Sequence, residues 1–168
     1  MVNFIPKKPV KSFLDLEVYQ KLLEAAVFVA RYIVRPSSDV DPDIVVIVPD
    51  ADVATPTTSS AKATAYEDGP AMAAELIFHH MLPCALGLPH LIAEAHSVRF
   101  GSQKDCLILL ERAMLHCNKM VVYLEETRDI ADTGVSWEKF NELIKKYLYV
   151  RQKILNLQRS WKKFMVNK

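Results

Sequence analysis

Apolar residues recur along this chain at steps of three and four in four stretches, with one long interruption after the first. In the first stretch Leu16, Tyr19, Leu23, Ala26, Ala30 and Ile33 form a stripe, and Val18, Leu22, Ala25, Val29 and Tyr32 widen it. That is the period of a helix with one face turned to a core, and it predicts a helix from about Ser12 to Val34. Ser12 suits the N-cap, and Asp15 and Glu17 fall in the first turns, where the helix dipole favours negative charge. Only Glu17, Lys21, Glu24, Arg31 and Arg35 form a polar strip, so this helix is expected to lie among others.

The second helix is expected to start at Pro70, a favoured first-turn residue, just after Gly69. Pro83, Gly87 and Pro89 predict a break into two pieces, about Pro70–Leu82 and Pro89–Val98. Gly101 is expected to close it in a left-handed cap, with Ser102 as the next N-cap. The third helix follows from about Gln103 to Ile130. Its main stripe is Leu107, Leu110, Met114, Cys117, Val121 and Leu124, with a second stripe of Cys106, Leu109, Ala113, Met120 and Tyr123. After Gly134 and Ser136, the fourth runs from Trp137 to about Met165. Phe140, Leu143, Tyr147, Val150, Ile154, Leu157, Trp161 and Phe164 alternate steps of three and four along it, and Ile144, Leu148 and Leu155 broaden the seam. Three and a half heptads support a coiled-coil-like seam, with Leu110, Cys117, Val121 and Leu124 facing Leu143, Tyr147, Val150 and Ile154.

The interruption, 36–69, holds Pro36, Pro42, Pro49 and Pro56 and reads as a long loop. Within it Ile44–Val48 has the composition of a short strand. A lone strand must find backbone partners on the bundle, within the loop or on another chain. The hydroxyl-rich run from Thr55 to Thr64 is a candidate phosphorylation segment. Ahead of the first helix, residues 1–11 form an arm whose Phe4 and Ile5 precede a basic, proline-containing stretch. It packs back on its own bundle or docks on a neighbour.

Together these elements predict an all-α protein, an antiparallel bundle of about four long helices in a single domain spanning 1–168. At 168 residues the chain can bury its own core without disulfide or metal. Hydrophobic residues make up 51% and charged residues 24%, which sets it apart from disordered chains. No uncharged apolar run reaches the ~18 residues of a membrane span.

Net charge, only +1 in total, is unevenly laid out. Residues 1–38 carry +3, residues 39–138 carry −10, and residues 139–168 carry +8. Outside the apolar seam of the last helix lie Lys145, Lys146, Arg151, Lys153, Arg159, Lys162 and Lys163, with Tyr149 among them. Such a basic face is either a solvated surface or a contact for phosphate or another anionic surface.

Chemical motifs are sparse. His79, His80, His90, His96 and His116 lack the Glu-x-x-His and His-x-x-x-His spacings that bring metal ligands onto one helix face, and read as core or surface histidines with satisfied ring nitrogens. No metal and no cofactor is expected. Cys84, Cys106 and Cys117, odd in number and set in apolar helical sequence, read as buried reduced thiols. With no secretory signal pattern at Met1–Pro9, an intracellular, cytoplasmic setting is expected. No nucleophile elbow, phosphate-binding loop or dinucleotide fingerprint occurs. The leading expectation is therefore a non-enzymatic interaction or assembly protein, a structural subunit associating with itself or with other proteins. Nucleic-acid or anionic-surface binding through the basic helix is the alternative, and a small-molecule enzyme with a site between helices is the third.

Overall fold

The computed structural model of the protein describes residues 12–34 and 69–166, with side chains as far as Lys163. The arm at 1–11, the strand expected at Ile44–Val48 and the hydroxyl-rich run from Thr55 to Thr64 lie outside the described residues. Four helices, α1 (Glu17–Phe28), α2 (Gly69–Val98), α3 (Gln103–Ile130) and α4 (Trp137–Val166), pack against one another, and no strand occurs among the described residues. The all-α antiparallel bundle is thus what the sequence folds into.

The helices form a ring in which α1 and α3 each pack on both α2 and α4. Their directions alternate. Phe13, just ahead of α1, lies against His96 near the end of α2. Glu17 and Glu24 of α1 pair with Lys153 and Lys146 of α4, in reversed order along the chain.

Ser12 is an N-cap, of a single 3₁₀ turn (Phe13–Asp15) that precedes α1. Its hydroxyl accepts from the Leu14 N–H at 3.3 Å, and the Asp15 carboxylate accepts from the Ser12 N–H at 3.0 Å, a reciprocal capping box. At its other end α1 passes into a π turn, Val29–Ile33, closed by the Val34 N–H donating to the Val29 carbonyl at 2.9 Å. The wider turn goes with burial of both Val29 and Ile33, four residues apart.

In α2 the expected break does not occur: the helix runs continuously from Gly69 to Val98 with Pro83 and Pro89 inside it. Each proline removes one backbone donor and crowds the preceding turn. Around them Met81, Cys84, Ala85, Leu88 and Ile92 are buried, as is Pro89 itself. Tertiary burial on both sides of each proline outweighs the local penalty, as helix propensity is routinely overridden in packed cores. Gly101 is not left-handed either. Among the described residues only Gly134, in the α3–α4 corner, has a positive φ, of 68°. Ser102 does cap α3, accepting from the Asp105 N–H.

The α3–α4 seam holds with a shift in register. Buried on α3 are Cys106, Leu110, Ala113, Cys117, Met120, Leu124 and Thr127, an unbroken alternation of four and three that draws on both expected stripes. Val121 is only half-buried. On α4 the buried residues are Phe140, Leu143, Ile144, Tyr147, Val150 and Ile154, whereas Leu148 is exposed. α1 is less enclosed than its wide stripe implied, since Leu23, Val27 and Tyr32 are exposed.

Candidate functional site

The seven basic residues of α4 do not form one face. Lys146 reaches the Glu24 carboxylate of α1 at 2.8 Å, and Lys153 reaches Glu17 at 3.4 Å. Between them Tyr149 donates its hydroxyl to Glu17 at 2.9 Å, while the ammonium groups of Lys21 and Lys153 lie 5.5 and 5.0 Å from the centre of its ring. The Tyr149 hydrogen bond, helped by Lys153, holds the Glu17 carboxyl below its ordinary pKa, and the Lys146 hydrogen bond does the same for Glu24. The polar strip of α1 is therefore one side of a charged α1–α4 seam. Arg151 is half-buried on the core side, whereas Lys145, Arg159, Lys162 and Lys163 are exposed.

The acidic middle of the chain is not their counterweight among the described residues. Residues 39–68 contribute seven acidic residues and one lysine, −6 of the −10, and lie outside the described structure.

One end of the bundle gathers the start of α1, the α2–α3 corner and the last turns of α4. His96 joins them: its ring lies 6.3 Å from Phe13 and 6.2 Å from Trp161, and Gln158 of α4 donates to the Leu107 carbonyl of α3 at 3.5 Å. The backbone carbonyl of His96 accepts from Arg99. His96 is only 7% exposed, and its Nε2 has no hydrogen-bond partner. Burial, then the Arg99 charge, lowers its pKa, against a smaller opposing pull from Asp15. His116 Nδ1 is likewise buried without a partner, so these two histidines are not satisfied in the way the sequence suggested. His79, His80 and His90 are exposed.

The outward face of α2 was not singled out from the sequence. Met72 is 73% exposed, and Leu76, Pro83 and Leu86 are exposed with it. Only two residues of this 30-residue helix, Glu75 and Glu94, carry a formal charge. That poverty of charge was the available signal: a single buried face cannot absorb so many apolar residues. By length and composition α2 could also cross a membrane, with a mean hydropathy of 1.4 over its best window, 39% of which is buried inside the bundle. A central helix of a bundle has the same composition.

The centre of the core is chemically unusual. Cys84, Cys117 and Tyr147 are all buried there, and the Cys84 thiol donates to the His116 carbonyl at 3.6 Å. Burial pushes the Cys84 thiol up to about 11 and that of Cys117 to about 12, so both are protonated and unreactive at neutral pH. Tyr147 is fully buried, with no partner for its hydroxyl. No group of three or more His, Cys, Asp or Glu that could hold a metal occurs among the described residues. Two open cavities, of about 340 and 260 Å³, lie at the end of the bundle opposite His96. Arg31, Tyr32 and the Lys139–Glu142 pair line the first, and the α3–α4 corner lines the second.

These features define a four-helix bundle with a weakly charged outer face on α2. No family model matches the chain, and neither a curated protein nor a solved structure matches it significantly.

Proposed function

We propose that the protein is a non-enzymatic interaction subunit that assembles with copies of itself, or with a protein partner, through the outer face of α2. The observation carrying this reading is the exposure of Met72, Leu76 and Leu86 on a helix with only two charged residues. Covering these side chains with a protein partner would remove their apolar surface from water. The three free thiols suit a reducing, intracellular setting for such a subunit.

Sedimentation equilibrium across a range of concentrations tests it. Self-association should raise the average mass with concentration, persist in high salt, and disappear in Leu76→Glu and Leu86→Glu, whose helical content should be unchanged. A mass that stays monomeric at the highest concentrations refutes self-assembly.

The second reading, contact with nucleic acid or an anionic surface through α4, is favoured by the exposure of Lys145, Arg159, Lys162 and Lys163. It differs in being salt-sensitive.

A further inference from the structure

We infer that the outer face of α2 carries two halves of a divalent-metal site, completed when a second copy of the chain packs antiparallel on that face, an inference resting on self-assembly through α2. Glu75 and Glu94, the only two charged residues of the helix, each stand four residues from a histidine, as Glu75–His79 and His90–Glu94. Residues four apart on a helix are neighbours on one face, so each pair can hold one ion from two points.

All four side chains are exposed, and none has a hydrogen-bond or ion-pair partner among the described residues. At about 100° per residue they fall within an arc of about 100°. That arc lies opposite the buried Met81, Ala85, Leu88 and Ile92. Met72, Leu76, Pro83 and Leu86 share it, so the four polar groups are set in the exposed apolar stripe. The helix is continuous from Gly69 to Val98, and the spacing runs unbroken along it.

The order of these groups reads the same from either end: Glu, three residues, His, ten residues, His, three residues, Glu. Within one chain the two histidines stand about 16 Å apart along the helix axis, too far to share an ion. No group of three or more potential ligands forms within the described residues. When a second copy lies antiparallel, His79 comes level with the partner's His90, Glu75 with the partner's Glu94, and Pro83 with the partner's Leu86. A two-fold contact requires this self-complementarity, in which residue i meets j and j meets i. Two equivalent sites result.

Two neutral imidazoles and two carboxylates form a donor set suited to zinc, and the two negative charges balance the dication. Without the ion, Glu75 and the partner's Glu94 are like charges brought together at an otherwise apolar seam. The dication relieves that repulsion and so strengthens the pairing. The symmetry selects a second copy over an unrelated protein, because one chain supplies both halves where a different partner would need only one.

The test is sedimentation equilibrium of the full chain in zinc chloride, in magnesium chloride and in EDTA, beside calorimetric titration with zinc. Zinc should bind at one ion per chain. At about ten times each site's Kd it should tighten the dimer about a hundredfold through the two sites. Magnesium, which prefers oxygen ligands, should not. His79→Ala and His90→Ala should each lose the effect, whereas His80→Ala, about 100° around the helix from His79, should keep it. Circular dichroism checks that each variant retains its helices. The deciding experiment mixes His79→Ala with His90→Ala. A mixed pair keeps one intact site, built from His79 of one chain and His90 of the other, so the zinc-dependent dimer should return with one ion per pair. No recovery on mixing overturns the proposal, as does zinc binding without a rise in mass, or an undiminished zinc effect in either single variant. Association that is equal in zinc and EDTA removes the metal site and leaves assembly through α2 standing. A monomer under every condition removes both.

Discussion

Replacing Tyr147 by Phe should make this protein more stable. A buried Tyr→Phe change ordinarily costs about 0.5–1.5 kcal/mol, because it removes a hydrogen bond. Here there is none to remove: Tyr147 is fully buried on α4, and its hydroxyl has no partner. Burial, together with Cys117 and Cys84, pushes its ionisation above the ordinary range for a phenol, so the group is a neutral hydroxyl at neutral pH.

Taking such a hydroxyl out of water without a bond costs the folded state roughly 1–3 kcal/mol. Phe removes that cost and leaves a void of about 10 Å³. At ~24 cal/mol per Å³ this void subtracts only about 0.2 kcal/mol, since the ring itself stays in place. The net gain is about 1–3 kcal/mol, or roughly 2–11 °C in Tm for a chain of this length. Urea denaturation measures it as a higher midpoint at unchanged slope. Tyr147→Ala is the control, and it should lose about 3–5 kcal/mol through the cavity. If Tyr147→Phe instead lowers the midpoint by about 1 kcal/mol, the hydroxyl is bonded and the reasoning is refuted.

The register of α3 sets a second pair of variants apart: Met120→Ala, at a fully buried position, should cost about 2–5 kcal/mol, whereas Val121→Ala, half-buried, should cost under about 1 kcal/mol. Equal losses in thermal denaturation would return the seam to Val121. Alkaline stability offers a third test. Unfolded thiols titrate near 8.5, while folded Cys84 and Cys117 titrate near 11 and 12. Above pH 9 the unfolded chain therefore binds fewer protons, and stability falls as pH rises through 11 towards 12. Cys84→Ala with Cys117→Ala should flatten that fall, and an unchanged alkaline slope would mean that the thiols are not buried as a pair.

Helix placement was legible because it depends on local signals. Ser12 and Ser102 cap where a short hydroxyl precedes an apolar period, and α3 begins at the residue the sequence indicated. The same local reading failed at Pro83, Pro89 and Gly101. A proline penalty of about 3 kcal/mol ends an isolated helix, but α2 buries residues against its neighbours both before and after each proline. The sum of those contacts has no signature within a window of ten residues. The register of α3 was ambiguous for a related reason. Its two stripes differ by one residue, and the helix turns the line between them inward.

The surface was harder to read, and charge shows why. Summing charge along linear segments set α4 against the acidic middle of the chain, yet Lys146 and Lys153 find their partners on α1, which the sums counted as basic. The relevant pattern was one of spacing. Glu17 and Glu24 are seven residues apart, as are Lys146 and Lys153. Two antiparallel helices with opposite charges at heptad positions beside their apolar stripes can lock those charges together, as flanking positions do in a coiled coil. That match was visible in the sequence and constrains which helices are neighbours, which net charge cannot. It also divides the lysines of α4: Lys146 and Lys153, at the heptad positions facing α1, pair across the helix interface, and Lys145, Lys162 and Lys163 lie outside it and stay exposed.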